Sequence, residues 1–170
     1  MSSSLKHLLL LALLPLAGCG FTPLYANQGA GGVAQQLDTV EVGNIPNRSG
    51  QMLRLTLQTQ LHAAGSPTQQ IYILQVNYNI AISTIGMLAD TATTRNRFIA
   101  TANWSLAPVG SPATPLVSGL ATTEDAENII DQQYFALSLE SSTVNEQLAD
   151  EIAAQITGQV AAYFKSHPNG

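Results

Sequence analysis

The residue with the most distinctive chemistry is Cys19, the only cysteine of the 170-residue chain. Without a second cysteine an internal disulfide is impossible, so the thiol is either an ordinary buried group or a reactive one. It stands directly behind Ala17 and Gly18, which follow an apolar run at residues 8–16. A lone thiol after an apolar run and two small residues is a candidate acceptor for an acyl chain.

Residues 1–18 have the layout of a lipoprotein signal peptide, with Lys6 first, then the apolar run, then small residues. The run is too short to cross a bilayer, because a spanning helix needs about 20 apolar residues. The stretch Leu16-Ala-Gly-Cys19 resembles the bacterial lipobox, whose cysteine receives a diacylglycerol and, at its new N-terminus, an acyl chain. We therefore predict a membrane anchor at Cys19. Gly20, where an aspartate is typical of inner-membrane retention, favours the outer membrane.

Charged residues make up only 10% of the chain, whereas about a quarter is usual. Ser, Thr, Asn and Gln supply 52 residues instead. Without the leader, five basic and eleven acidic residues would remain, which argues against a broad affinity for nucleic acid or for an anionic bilayer. Exported proteins are often poor in charge. Alternatively, the surface is covered by a polar partner such as the inner wall of an outer-membrane barrel, since hydroxyls and amides cost less to desolvate than charges.

The residues that could support catalysis or bind a metal are scattered. His7, His62 and His167 are far apart in the sequence and share no spacing typical of a metal site or a catalytic base. Residues 29–32 are rich in glycine, but no predicted strand precedes them as a phosphate-binding loop requires. The sequence therefore predicts a non-enzyme with no metal and no cofactor other than the acyl groups on Cys19.

Acidic residues cluster once, at Glu124, Asp125, Glu127 and Asp131. A calcium loop needs alternating oxygen ligands around a glycine turn, and this stretch lacks that pattern. We predict a solvated loop whose acids precede, and favour, the start of the last helix.

Periodicity predicts the elements between these residues. Residues 37–45 favour a first strand, and Asn47 is a candidate N-cap for a helix that ends near Gly65. Strict alternation over residues 72–83 predicts a long strand with alternate residues from Tyr72 to Ile82 on its apolar face. In the next strand, alternate residues from Asn96 to Leu106 are expected to share one face. We further expect a loop at 86–90, a third strand over 96–106, a turn at 108–115 and a fourth strand at 116–123. A last helix follows, and its apolar residues recur every four positions as a stripe: Val144, Leu148, Ile152, Ile156, Val160 and Phe164.

The order β-α-β-β-β-α predicts an α+β fold, a two-layer sandwich of a four-stranded, mainly antiparallel sheet with two helices on one face. The predicted divisions are a signal peptide (1–18), a lipidated tether (19–36), a single domain (37–166) and a tail (167–170). The helices leave the other sheet face uncovered. That face would carry Gln75, Asn77, Asn79, Arg97, Thr101, Asn103 and Ser105.

Arg95 and Arg97 lie two residues apart and hence on one face of the third strand. They either solubilise a strand end or contact phosphates, which guanidinium groups bind with paired donors. We expect amide side chains beside them rather than acids, so that their charge is free for a ligand. They are our candidate lipopolysaccharide-binding residues.

Three stretches carry a resemblance to a known family. Cys19-Gly-Phe-Thr-Pro-Leu-Tyr25 resembles the mature N-terminus of the lipopolysaccharide-assembly lipoprotein family (LptE) in its alphaproteobacterial form. Gly50-Gln-Met-Leu-Arg54 is similar to that family's first helix. Asn145-Glu-Gln-Leu148-Ala-Asp150-Glu-Ile152 and Val160-Ala-Ala-Tyr163-Phe164 resemble parts of its last helix.

The resemblance implies an outer-membrane lipoprotein on the periplasmic side. It would plug the barrel of the lipopolysaccharide translocon (LptD), help it assemble and assist delivery of lipopolysaccharide to the cell surface. The remaining alternatives are an auxiliary lipoprotein of another envelope lipid transporter and a periplasmic small-ligand-binding lipoprotein.

Overall fold

The computed structural model describes residues 32–63, 69–87, 93–128 and 134–168. The leader and Cys19 lie outside these ranges. Within them the elements are α1 (Val33–Asp38), β1 (Val40–Val42), α2 (Asn47–Leu61), β2 (Tyr72–Met87), β3 (Thr93–Pro108), β4 (Val117–Asn128) and α3 (Tyr134–Ser166). The strands form one sheet in the order β1-β2-β3-β4, with β1 parallel to β2 and the other pairs antiparallel. The predicted α+β fold is confirmed.

The inner face of the sheet carries the core, and α2 and α3 cover it. Tyr72 pairs with Pro108 and Ser83 with Arg97, so the predicted alternation runs in register along both long strands. The predicted inner-face residues of β3 are confirmed as buried from Phe98 to Leu106. Ile82 differs from the prediction, because it lies beyond this packed region and is 63% exposed.

Tyr78 is the one residue of this inner row on β2 that carries an unpartnered polar atom. Its side chain is 9% exposed, and its hydroxyl has no hydrogen-bond partner. Burial raises the pKa of Tyr78 to about 12, because the phenolate would be poorly solvated there.

The predicted stripe of α3 is confirmed, since all six of its residues are buried. Ala149, Ala153 and Ala161 widen it. Thr157 of the same helix is buried too: its side chain is only 4% exposed, and its hydroxyl has no hydrogen-bond partner. A repeat of four drifts around a helix of 3.6 residues per turn. The buried stripe is therefore broad enough to include Thr157, which faces a crevice shared with Thr59 of α2.

The start of α2 differs from the prediction. Asn47 is the first helical residue and has a φ of 69°, and Pro46 precedes the helix without a side-chain cap. Gly50 lies against Ile45, since a Cβ at Gly50 would come within 2.7 Å of the Ile45 side chain. Gln51 Nε2 donates to the Ile45 carbonyl at 2.7 Å. The Gly50-to-Arg54 stretch thus fixes α2 against the chain that leaves β1.

Side chains of α3 cover the free edge at β4. Gln155 accepts from the Thr122 N–H at 3.2 Å and donates to the Thr122 carbonyl at 3.1 Å, as a neighbouring strand would. Gln159 donates to the Leu120 carbonyl and accepts from Trp104 Nε1. These bonds satisfy backbone groups that an edge strand would otherwise present to other chains.

Several boundaries differ from those predicted. The first strand is three residues long, because Leu37 is a buried residue of α1, and residues 33–36 of the predicted tether also belong to α1. Helix α2 ends at Leu61. Strand β2 runs through the start of the predicted 86–90 loop to Met87, with register shifts beside Gly86. Strand β4 continues past residue 123.

Candidate functional site

The outer face of the sheet is the surface that the described elements leave uncovered. Its central zone consists of uncharged polar pairs directly across β2 and β3: Gln75 with Ser105, Asn77 with Asn103, and Asn79 with Thr101. These side chains are exposed or half-buried, as predicted. Amides and hydroxyls both donate and accept, so this zone can form hydrogen bonds with a polar wall without desolvating a charge.

A shallow cleft of about 420 Å³ lies in this zone. Asn77 and Asn103 line it on the long strands, and Gly43 and Asn44 line it beside β1. The Gly43 N–H donates to the Leu74 carbonyl at 2.9 Å. A Cβ at Gly43 would come within 3.3 Å of that carbonyl, so glycine lets the chain lie close to β2.

Arg95 and Arg97 lie at the far end of the same face, near the hairpin that joins β2 to β3. Both are exposed, and they line a cleft of about 410 Å³ together with Glu124, Asp125 and Ala126. Arg97 Nε lies 4.0 Å from Glu124 Oε2, with the two side chains 45% and 64% exposed. The expectation of amide neighbours only is therefore wrong. A pair this long and this exposed is weak and leaves the guanidinium open to a stronger anion.

The acidic stretch is also placed differently from the prediction. Glu124, Asp125 and Glu127 belong to β4 rather than to a loop. Alternation along β4 puts Glu124 on the outer face, opposite Ile99. Glu127 is only 6% exposed, and Asp125 accepts a hydrogen bond from the Ala126 N–H at 2.7 Å. Asp131 lies outside the described residues.

The described histidines have structural contacts. His62 Nε2 lies 3.0 Å from the Val40 carbonyl, and the His167 ring stacks on Tyr163 with centroids 4.5 Å apart. Among the described residues, no three His, Cys, Asp or Glu side chains are grouped as metal ligands. Across the same residues, none of the helices combines the length and the apolar character needed to cross a membrane.

The near end of the outer face, where the start of β2 lies beside the end of β3, differs from the polar face predicted from the sequence. There the face is apolar: Ile71, Val109 and Leu116 are large hydrophobic residues with 47%, 46% and 42% of their surface exposed. The signal was present in the sequence. Ile71, Tyr72, Ile73 and Leu74 are all apolar, which interrupts the alternation from which a polar face was predicted.

No protein-family model and no curated protein sequence matches the chain significantly. Solved structures do match it. A protein from Caulobacter crescentus described as a lipoprotein superposes with a TM-score of 0.60 and 20% identity, covering 79% of this chain and 96% of that one.

Two further solved structures match the fold of this chain. A minor lipoprotein from Acinetobacter baumannii gives a TM-score of 0.59 and 16% identity over 73% of this chain and 90% of its own. The rare lipoprotein B from Shewanella oneidensis gives a TM-score of 0.56 and 11% identity over 75% of this chain and 95% of its own. At these identities the likeness is one of fold. The chain has the fold of these bacterial lipoproteins.

Proposed function

We propose that the chain is a non-catalytic lipoprotein, anchored through Cys19 to the periplasmic leaflet of the outer membrane. It plugs and helps assemble the barrel of the lipopolysaccharide translocon (LptD), and it assists delivery of lipopolysaccharide to the cell surface. The observation that carries the proposal is the uncovered, uncharged polar zone of the outer face. The fold shared with bacterial lipoproteins and the resemblance of the residues from Cys19 to Tyr25 to the LptE family support it.

A polar zone of this kind suits the lumen of an outer-membrane barrel, whose interior wall is polar. The pairs Gln75–Ser105 and Asn77–Asn103 would exchange hydrogen bonds with water for hydrogen bonds with that wall. Charged side chains in the same places would be costly to desolvate.

Purification of the intact protein from solubilised outer membranes tests the proposal. We expect a large β-barrel protein and lipopolysaccharide to remain bound. Partners from the inner membrane would instead support the auxiliary lipoprotein of another lipid transporter, and a bound small molecule alone would support the ligand carrier.

The anchor has its own test, because a serine hydroxyl does not replace the thiol as acyl acceptor. The Cys19→Ser variant should remain an unlipidated precursor that takes up no labelled fatty acid in growing cells, while the parent does. Label that persists in the variant would refute lipidation at this residue.

The arginine pair is the proposed lipopolysaccharide contact, through the phosphates of lipid A. Replacing Arg95 and Arg97 with Glu should weaken binding of lipopolysaccharide to the purified mature chain at least tenfold, about 1.4 kcal/mol. The matched control is Arg48→Glu with Lys165→Glu, which makes the same change in net charge at two other exposed positions. If both double variants lose the same amount of lipopolysaccharide binding at one salt concentration, the effect is one of general charge, and the pair is removed from the site.

Glu124→Gln sharpens this test. It removes the carboxylate 4.0 Å from Arg97 and adds no positive charge. Binding of lipopolysaccharide should strengthen if the arginine serves the ligand, and it should stay unchanged if Arg97 only solubilises the strand end.

A further inference from the structure

The near end of the outer face carries an apolar patch, which we call the anchor-end patch and define as Ile71, Ile73, Val109 and Leu116. The Val109 N–H donates to the Ile71 carbonyl at 3.0 Å, so these two residues are neighbours on adjacent strands. Ile73 pairs with Ala107, and the Leu116 N–H donates to the carbonyl of Leu106, the residue before Ala107. The patch therefore extends across β2, β3 and the residue that precedes β4.

The patch lies where the N-terminal segment enters the fold. The Ile71 N–H donates to the Thr39 carbonyl at 2.9 Å, and Thr39 directly follows α1. The C-terminus of α3 is at this end too, because the ring of Phe164 packs on Tyr72 with centroids 5.2 Å apart. Arg95 and Arg97 lie at the opposite end of the long strands.

Covalent reach limits where a membrane anchored at Cys19 can be. The thirteen Cα–Cα steps from Cys19 to Gly32 can span about 45 Å at most. The sixteen residues of β2 extend about 50 Å from Tyr72 to the hairpin. A bilayer that holds Cys19 is therefore within easy reach of the anchor-end patch, whereas the hairpin end lies near or beyond the limit of the chain.

The chemistry of this end suits a lipid surface. Residues 109–116 contain no charged side chain, so contact with lipid would desolvate no charge on that side of the patch. On the other side Glu41 pairs with Ile73, and its carboxylate must stay among the headgroups. Apolar side chains gain free energy when they leave water.

We propose that the anchor-end patch is a membrane-contact surface that lies at the headgroup and acyl boundary of the bilayer to which Cys19 is tethered. This rests on the proposed lipidation of Cys19. The lipid chains attach the protein, and the patch holds this end of the domain at the periplasmic surface of the bilayer, which leaves the polar zone and the hairpin end free to enter a barrel lumen.

Fluorescence quenching by brominated lipids tests this contact. The lipidated mature chain is placed in vesicles of phosphatidylethanolamine and phosphatidylglycerol, with or without bromine on the acyl chains. Val109→Trp and, separately, Leu116→Trp report on the patch. Ile82→Trp is the matched control, since Ile82 is an exposed apolar residue toward the hairpin end. The native Trp104 is 4% exposed and gives a common background.

We expect bromine to quench the two patch tryptophans at least twofold more than the tryptophan at position 82. Equal quenching at all three positions, in protein that sediments with the vesicles, would overturn the proposal. A patch tryptophan that is not quenched by lipid, but shifts its emission to the blue when the barrel partner is added, would overturn it as well and assign the patch to a protein wall. Protein that fails to sediment with the vesicles would refute the anchor and, with it, the patch proposal.

Discussion

The two faces of the sheet are built from the same strands but have different environments. On the inner face, alternate residues such as Leu74 and Leu106 are completely buried under α2 and α3. On the outer face, most of their neighbours are exposed or half-buried, with Ala107 as a buried exception. Along β2 and β3 the character of this face changes from apolar near Ile71 through uncharged polar pairs to arginines near the hairpin, while on β4 the exposed Leu120 lies beside Asn103. The inner face is uniform because one hydrophobic core covers it. The graded outer face suits surroundings that change along its length.

The largest effect is expected from a substitution that disrupts the core on the inner face. Ile152→Asp places a carboxylate at a fully buried site in the middle of α3. An unpaired buried charge should lower the free energy of unfolding by several kcal/mol. Thermal denaturation followed by circular dichroism measures it, with Ala162→Asp as the control at an exposed position of the same helix. Equal melting temperatures for the two variants would mean that the stripe does not face the core.

A smaller effect is expected at Gly119, which makes room for the aromatic ring of the core. A Cβ there would lie 2.7 Å from Trp104 Cζ2, so Gly119→Ala should destabilise the fold by about 1–3 kcal/mol. Gly110→Ala is the control, because a Cβ at Gly110 meets nothing within 4 Å. Urea titration measures the free energy of unfolding of both variants. If Gly110→Ala lowers it as much as Gly119→Ala does, close packing of Gly119 against Trp104 is not the cause.

On the inner face, the effect of Tyr78 on stability should depend on pH. Its hydroxyl is buried without a partner, so Tyr78→Phe should be more stable than the parent by about 1 kcal/mol at pH 8. Because its pKa is raised to about 12, the unfolded chain ionises first, and the parent should lose further stability between pH 10 and 12. The advantage of phenylalanine should therefore widen over that range. If the difference in urea midpoint between the parent and Tyr78→Phe stays constant over that range, Tyr78 is solvated in the folded protein.

Periodicity predicted the inner face well. A period of two over residues 72–78 and an apolar residue at every fourth position of α3 both reflect burial by the chain itself, and burial selects residue type directly. The side of the helix at Thr157 could not be assigned in this way, because a hydroxyl is compatible with either environment. The strand character of Glu124 to Glu127 was hidden as well, since charged residues are poor strand formers in isolation and are held here by pairing with β3.

The candidate site was less predictable than the fold. The position of Arg97 on the outer face followed from alternation, but its pairing with Glu124 depends on the register between β3 and β4, which local patterns do not determine. The anchor-end patch was missed for a related reason. Val109 and Leu116 flank a proline-rich turn, and only the completed sheet brings them beside Ile71.

The smallest expected effect is in the polar zone of the outer face. Asn77→Ala and Asn103→Ala remove two side chains that lie opposite each other and face away from the core. Each should change the free energy of unfolding of the isolated chain by less than about 0.5 kcal/mol. A loss of 2 kcal/mol in urea titration would show that this zone contributes to folding rather than to a partner surface.

The most direct test of the proposed barrel contact is photo-crosslinking in intact cells, with p-benzoylphenylalanine at Asn77 or at Tyr78. These neighbours lie on opposite faces of β2, one exposed and one buried. The account predicts that the probe at position 77 forms an adduct with the outer-membrane translocon barrel, and that the probe at position 78 does not. It would be contradicted if the probe at position 77, in a folded protein that fractionates with the outer membrane, formed no adduct with a barrel protein.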